Sequence, residues 1–424
     1  LRKLLITANL LALLTACALP FVSDEAVTNA VDRYEAAYLN VIGPSDTLNR
    51  DVDTLEDALI TINARYVDEV NLDDLVDEAI RGLRNTSDST PPTTRALNAL
   101  LASLDKFSGY MPPETYSRYQ QSLDGDFIGF GVRIEMRDDE LTVLSPIAGS
   151  AAEEAGILSG DVITHQDGDP LSGLSLHDAV SKLRGPEGSS SVLTIQRDGE
   201  DTPLKLTVTR RRVELHSVEY KADGDIGYIR ILSFNRKTGD EVEDALKAIN
   251  RDLGGRFCGV ILDLRNNPGG LVSSAIDVAD QFLDQGHILK AMNRGNSFTE
   301  ERAARGDSVH GLPMIIMINQ GSASAAEIVA GALQSNGRAR LFGEKSYGKG
   351  SMQTLFDLEN GGGLRLTTGR FTVGRDLSFN HIGLTPDIRD ADTGQEQLLA
   401  PIGRASRTMM CNPSLETAAA AHAQ

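Results

Sequence analysis

The chain has 424 residues, 41% of them hydrophobic and 24% charged, with 40 Gly and 15 Pro. These globular proportions exclude bulk disorder and a fibrous repeat, and the length corresponds to about three domains. Lys+Arg 41 against Asp+Glu 60 gives a formal net charge of -19. A surface that acidic repels phosphate backbones, and the one local basic run is Arg210-Arg211-Arg212, so no nucleic-acid partner is expected. Three Cys do not make a disulfide framework, and seven scattered His without an HxxxH pair do not make a zinc hydrolase, so no metal and no cofactor are expected either.

In chain order, Arg2 and Lys3 precede an apolar run from Leu4 to Ala16, the pattern of a secretory signal too short to span a membrane as an ordinary helix. The run ends Leu14-Thr15-Ala16-Cys17, which resembles the bacterial lipobox. Residues 1–17 are therefore expected to be a signal peptide with lipidated Cys17 as the mature N-terminus. Cleavage next to an incidental Cys is the competing reading. The other two cysteines, Cys258 and Cys411, would then meet an oxidising compartment, with Cys258 read as a small buried hydrophobe beside an apolar strand.

Residues 18–50 read as a tether and lead-in, and residues 51–122 as a helical segment. Leu55, Leu59, Ile60, Ile62 and Tyr66 share one 3.6-period face, and Leu72, Leu75, Ala79, Ile80 and Leu83 share another. Asn85 to Thr94 reads as a loop and Leu97 to Leu104 as a short helix. At Gly125 the texture changes to short β-type runs, Ile128–Glu135, Leu141–Leu144, Asp161–His165, Ser191–Arg197 and Leu204–Thr209, interrupted by one helix pattern from Leu176 to Leu183. From about 213 the pattern is strand, loop, helix: Val260–Leu264 followed by a helix from Leu271 to Phe282, then Met314–Ile318 followed by a helix from Ala325 to Gln334. Near-continuous apolar strands alternating with helices predict a mostly parallel sheet. Both loops then open at the carboxyl ends of their strands, on the edge where sites form in such sheets. The tail from 391 to 424 is Ala-rich and polar.

Three segments carry candidate chemistry. In Gly321-Ser322-Ala323-Ser324-Ala325-Ala326-Glu327, a Ser at a strand-to-helix turn sits at the positive helix end, and the N–H of Ala325 is placed to stabilise an oxyanion. The same residues fit a capping box, Ser324 with Glu327. In Gly343-Glu344-Lys345-Ser346-Tyr347-Gly348-Lys349-Gly350, a Lys lies between two Gly, with Gln353 four residues on and on the same face if the segment is a strand. A P-loop would need Ser or Thr after the Lys, where Gly350 stands; a solvated turn is the other plain reading. In Asp263-Leu264-Arg265-Asn266-Asn267-Pro268-Gly269-Gly270, paired Gly after a buried strand present backbone N–H groups or simply make a tight turn. None of the three contains His. A neutral Lys is a recognised base for a Ser nucleophile.

The run GSASAAEI, GKGxxQ with its Lys 25 residues beyond Ser324, and the upstream DLRNNPGG together resemble the carboxyl-terminal processing protease family, also called tail-specific proteases. Phe127-Ile128-Gly129-Phe130-Gly131-Val132 resembles a PDZ carboxylate-binding loop. Ala155 to Ile163, Leu104-Asp105-Lys106-Phe107-Ser108 and Gly383-Leu384-Thr385-Pro386-Asp387 resemble further motifs of the family. The resemblance covers about 55–390. It implies a multidomain α/β protein: a helical N-terminal segment, a β-rich PDZ domain at 123–212 and a mixed α/β serine protease core at 213–390.

It also implies Ser324 as nucleophile, Lys349 as general base, Gln353 orienting the lysine, and Ala325 with Gly270 as oxyanion donors. The residues Phe127, Ile128, Gly129, Phe130, Gly131 and Val132 would hold a peptide's C-terminal carboxylate. The expected partners are protein substrates with accessible C-terminal tails, an adaptor protein, and a membrane through the lipid on Cys17. Ala18 after Cys17 lacks the acidic residue associated with inner-membrane retention, so the expected location is the periplasmic face of the outer membrane. The alternatives are a catalytically inactive PDZ scaffold or chaperone on the same fold, and a retinoid-binding-like use of that fold.

Overall fold

A computed structural model describes residues 24–85, 90–255 and 258–389. Cys17, Cys411 and the tail from 391 lie outside the described residues. The described residues fall into two compact units, one holding the chain up to Pro112 with Thr354–Thr367, the other Pro113–Gln353 with the chain from Thr368 on.

The first unit is helical. Helices α1 (Asp24–Val41), α2 (Leu48–Arg65), α3 (Leu72–Arg84) and α4 (Pro92–Leu104) precede a short strand β1 (Gly109–Met111), which pairs antiparallel with Gly363–Arg365. The stretch read as a tether is corrected here: residues 24–41 form a full helix. Val27, Ala30, Val31, Tyr34 and Tyr38 recur at 3.6-residue spacing and pack with Leu55, Leu59, Val76 and Leu97. The phenol of Tyr38 donates to the buried carboxylate of Asp51 at 2.7 Å. The expected loop to Thr94 is also shorter, because Pro92 opens α4, where its missing N–H costs nothing. Asp105 closes α4, accepting from Phe107 N at 2.6 Å and from Ser108 N and Oγ at 2.9 and 2.8 Å. Burial works against its charge, but these bonds outweigh burial and hold its carboxyl below the usual carboxylate range.

The second unit opens with α5 (Pro113–Asp124) and then the β-rich module: β2 (Asp126–Gly129), β3 (Val132–Arg137), β4 (Glu140–Pro146), α6 (Ala151–Glu154), β5 (Val162–Gln166), β6 (Asp169–Pro170), α7 (Leu176–Leu183), β7 (Ser190–Gln196), β8 (Leu204–Thr209) and β9 (Arg211–Glu214). The sheet order is β3-β4-β5-β7-β8, with β6 on β5, and β2 pairs separately with β9. Its core gathers Phe130, Val143, Ile163, Leu193 and Ile195. The run expected as one strand from Ile128 breaks at Phe130 and Gly131, where Gly131 takes φ +80°. The basic run is spread apart: Arg210 is buried over the Phe130 ring, Arg211 pairs with Glu154, and Arg212 pairs with Asp126.

The rest comprises β10 (Val218–Asp223), β11 (Ile226–Ile231), α8 (Thr238–Asp252), β12 (Gly259–Asp263), α9 (Val272–Asp280), β13 (His287–Asn293), β14 (Phe298–Arg302), β15 (Met314–Ile318), α10 (Ala325–Ser335), β16 (Arg340–Gly343), β17 (Ser351–Asp357), β18 (Gly363–Val373) and β19 (Ile388–Arg389). The six-stranded sheet runs β10-β11-β12-β15-β16-β19, parallel except for β10. Alternate residues of its strands, Ile229, Val260, Leu262, Ile316 and Ile318, pack under α8, α9 and α10, and Ile261, Ile315 and Met317 belong to a separate cluster. Beside this sheet, β13 pairs with β14 and with Gly369–Val373 of β18. Cys258, read as a simple buried hydrophobe, is disulfide-bonded.

Candidate active site

Strands β12 and β15 are parallel neighbours in register from Val260↔Met314 to Asp263↔Met317, so the loops that follow them emerge side by side on one edge. Side chains stitch the two loops together. Asn319 Oδ1 accepts from Asn266 N, and its Nδ2 donates to Asn266 Oδ1, both at 2.9 Å. Asn267 donates to Ile231 O at 2.8 Å while its carbonyl O accepts from Ala323 N at 3.0 Å. Ser322 is fully buried and donates to Leu264 O at 2.8 Å while accepting from Asn319 N at 3.0 Å. Its hydroxyl is therefore occupied by the fold.

Ser324 differs. It sits at the N-terminus of α10 with φ 55° and ψ -115°. A non-Gly residue held there stores strain of about 1–3 kcal/mol and needs surroundings that over-determine it. The capping-box reading is half of the answer: Glu327 does accept from Ser324 N, at 2.9 Å. Yet that carboxylate is fully buried and accepts three more bonds, from Ser346 Oγ at 2.5 Å, Gly348 N at 2.7 Å and Lys349 N at 2.8 Å. One buried charge thus holds both the backbone of Ser324 and the backbone of the Lys349 loop. Sequence reading gave Glu327 only a capping role. The signal was present: it is the one charge in the otherwise apolar run Ala325–Leu333, every residue of which is buried.

Two Gly in the neighbouring loop divide the labour. Gly269 has φ +101°, and a Cβ there would lie 2.8 Å from Ser324 Cβ and 3.0 Å from Ala325 N, so only Gly allows this approach. Its N–H donates to Asn267 Oδ1 at 2.8 Å. Gly270 is bridged to Phe234 through the atoms on either side, Gly269 O and Leu271 N, which leaves its own N–H without an acceptor among the described residues. The N–H of Ala325 is free in the same sense. Of the Gly pair, Gly270 is therefore the one with a donor to offer, beside a helix N-terminus that favours negative charge.

The Lys349 loop precedes β17 and is pinned on every side. Tyr347 N donates to Ser322 O at 3.0 Å, Gly350 N to Asn380 Oδ1 at 3.0 Å, and Leu384 N to Ser346 Oγ at 2.6 Å. Leu384 belongs to the Gly383–Asp387 motif, and Asp387 in turn accepts from Leu341 N at 2.7 Å. Lys349 is half-buried. Gln353 lies on β17 and donates to Ser351 Oγ at 2.9 Å. On the same edge Asp263, almost fully buried, binds Arg265 at 2.6 and 2.9 Å and accepts from Tyr228 Oη at 2.7 Å. Burial, reinforced by Asp263, pushes the Tyr228 phenol well above its ordinary value.

The β-rich module carries a groove of about 690 Å³ walled by Phe127–Val132, Ile134, Val180 and Leu183. Among the described residues the N–H groups of Phe130 and Gly131 donate to nothing, while their carbonyls are taken by Ala152 N and Ile147 N. Two arginines, Arg184 at the end of α7 and Arg118 on α5, also line it. Desolvation first, then Arg118, hold the Arg184 guanidinium below its ordinary value. Arg118 lies in a helix that the sequence reading had left outside the peptide site.

A sequence profile for peptidase family S41 matches residues 225–390, and one for a PDZ domain matches 142–197. A carboxy-terminal-processing protease of Bartonella bacilliformis is 42% identical over 295 residues, covering 69% of this chain and 68% of that protein. The chain belongs to peptidase family S41. A carboxyl-terminal-processing protease of Synechocystis sp. is 36% identical over 315 residues, 72% of each protein. A solved Bacteroides fragilis protein described as an S41 protease has the same fold, with a TM-score of 0.52 and 17% identity over 83% of this chain and 96% of that one. The protein is thus a family S41 serine peptidase with a PDZ domain, and the inactive-scaffold alternative has no support.

Proposed function

We propose that this S41 peptidase cuts envelope proteins whose C-terminal tails enter the PDZ groove, with Ser324 as nucleophile, Lys349 as base and Gln353 orienting the amine. The observation that carries this reading is the Glu327 carboxylate, which ties the strained Ser324 turn to the Lys349 loop by four hydrogen bonds. The Ser324 hydroxyl attacks the scissile carbonyl as its proton passes to the unprotonated Lys349 amine. The resulting oxyanion takes hydrogen bonds from Gly270 N–H and Ala325 N–H. The lysine then returns the proton to the leaving amine, and water cleaves the acyl-enzyme. Because only the neutral amine accepts a proton, kcat/KM rises with pH. A profile from pH 6 to 10 that stays flat excludes Lys349 as base, and loss of activity in EDTA excludes this metal-free scheme.

Residues 123–212 serve as the PDZ domain and 213–390 as the catalytic core. N–H groups at Phe130 and Gly131 that donate to nothing among the described residues, an apolar wall at Val132 and Val180, and cationic Arg184 suit a terminal carboxylate preceded by an apolar side chain. The disulfide at Cys258 supports an oxidising compartment. No described helix is long and apolar enough to cross a membrane. Membrane attachment is assigned to acylation of Cys17, on the outer-membrane side of the periplasm, and an adaptor protein remains part of this reading. Cys17→Ser releases the protein from the membrane fraction, and unchanged fractionation rules the anchor out. The direct test of the whole is a tailed-substrate cleavage assay with wild type and Ser324→Ala, with mass spectrometry of the products. Cleavage that survives Ser324→Ala overturns the nucleophile assignment.

A further inference from the structure

Among the described residues, helices pack on one face of the six-stranded sheet. Ile229, Val260, Leu262 and Ile316 lie beneath α8, α9 and α10, whereas the alternate residues Ile226, Ile261, Ile315 and Met317 form a cluster of their own. The apolar side chains that join this cluster are Tyr228, Cys258 and Phe342, from the same strands or from the residue before β12, and no described helix contributes to it. Yet Ile226 and Met317 are 1% exposed, and Ile261 and Ile315 are 5% exposed. Side chains stand roughly perpendicular to a sheet, so neighbouring strands shield their flanks and not their tips. Burial this complete needs cover from above the face.

Cys258 points to what supplies it. It borders the cluster, immediately before β12, and it is disulfide-bonded. The chain has three cysteines, so its partner is Cys17 or Cys411. The acylation proposed for Cys17 takes up that sulfur, which leaves Cys411. The course of the chain favours the same choice. Its described part ends in β19, which pairs parallel with β16 at the edge of this same sheet. Cys411 follows Arg389 by 22 residues, a length that reaches roughly 70 Å when extended. Cys258 begins the third strand from β19, roughly 14 Å across the sheet. Two apolar stretches, Leu398-Leu399-Ala400-Pro401-Ile402 and Met409-Met410-Cys411, interrupt the otherwise polar tail.

We propose that the helix-free face of the sheet is the docking surface for the chain's own segment 398–411, fastened by a disulfide between Cys258 and Cys411. The apolar stretches of the segment cover Ile226, Ile261, Ile315 and Met317. In forming the bond, two thiols join as one S–S unit and pass two protons and two electrons to the disulfide of an envelope thiol oxidase, which is left as a dithiol. Such oxidation takes place outside the cytoplasm, so the sheet is completed only after export. The fastening lies where β12 begins, and the Gly270 and Ser324 loops follow the ends of β12 and β15, so the segment docks without entering the reactive edge.

The test uses the full chain purified from the cell envelope without reductant. Free thiols are blocked, the protein is cut with trypsin, and the peptides are identified by mass spectrometry. The peptide Phe257–Arg265 is expected to be joined to the one that begins at Thr408. A blocked, free Cys258, or one joined to the Cys17 peptide, overturns the pairing. A Cys258–Cys411 link in a chain whose Cys17 carries no lipid upholds the pairing and removes only the anchor. Docking is read with dilute peroxide, which oxidises methionines according to their exposure. Met314 and Met317 are buried on opposite faces of β15, and Met292 is an exposed reference. In the wild type both are expected to react at least tenfold more slowly than Met292. In Cys411→Ser, and more so in a chain ending at Asp390, Met317 is expected to quicken at least fivefold while Met314 stays slow. Cys411→Ser changes nothing within the sheet, so it decides the matter if the shortened chain does not fold. Met317 keeping pace with Met314 in Cys411→Ser overturns the docking.

Discussion

The Ser324 turn and the Phe127–Val132 loop both hold backbone N–H groups that find no acceptor among the described residues, yet they are built in opposite ways. The first is enclosed: a strained serine, a Gly that admits no side chain, and a buried carboxylate with four donors leave almost no freedom. The second borders an open groove whose walls come from four elements, α5, β2, β3 and α7. The difference suits the tasks proposed for the two sites. An oxyanion exists briefly and at one position, so its donors must be set in advance. A tail arrives in many sequences, so its groove is specified by a few N–H groups and by general apolar and cationic character.

The sharpest way to break the comparison is to remove one atom from the enclosed site. Ser324→Ala is expected to lower kcat by several orders of magnitude with an unchanged melting temperature, since nucleophile and base act as a unit. A melting temperature that falls along with activity would show that Ser324 is chiefly a cap.

Next in size is Glu327→Gln, which keeps the shape but turns an amide NH₂ toward groups that are themselves donors. Hydrogen bonds to a charged acceptor are worth about 1.5–3 kcal/mol each, so losing the equivalent of one or two predicts a fall of roughly 100-fold in kcat. KM is expected to change little, because Glu327 is buried and touches no substrate. A variant that loses KM and keeps kcat would place Glu327 in binding instead.

On the open site the effect is smaller. Amidating a substrate's C-terminus removes the charge that Phe130 N–H, Gly131 N–H and Arg184 are proposed to meet. The expected loss is about tenfold in kcat/KM, since one charge-assisted bond of at least 1.4 kcal/mol is forfeited. Deletion of residues 125–210 decides how binding reaches the core: an activator leaves a dead enzyme, a lid leaves one indifferent to tails. Equal rates for acid and amide in the full chain would remove the groove from the mechanism.

Smallest in activity is Ser322→Ala, two residues from Ser324 and fully buried. It loses one bond as donor and one as acceptor, so stability is expected to fall by about 1–3 kcal/mol while cleavage drops only a few-fold. Thermal melts and cleavage rates measured on the same preparation separate the two effects. Abolished cleavage in Ser322→Ala would reverse the roles of the two serines.

Much of this protein was legible in the chain because its signals are local. The apolar strands Val260–Leu264 and Met314–Ile318, the turn residues after them and the short β-runs beyond Gly125 each declare their conformation within a few residues. The three motifs placed Ser324, Lys349 and the Gly pair on loops without reference to anything distant. Helix α1 was also written in its 3.6-residue spacing of Val27, Val31, Tyr34 and Tyr38. It was missed because a segment after a signal-like run reads as a tether until its packing partners are known.

What only the tertiary structure decided concerns where hydrogen bonds end. That Gly270 N–H finds no acceptor among the described residues, while Gly269 O and Leu271 N on either side are taken, depends on Phe234, 36 residues upstream of Gly270. That Glu327 serves Ser324 and Lys349 together depends on a loop 19 to 22 residues downstream folding back over α10. Propensity and periodicity act over one or two turns of chain. A buried charge or a spare N–H is settled by whichever distant group closes the hydrogen-bond account, and no local pattern carries that information.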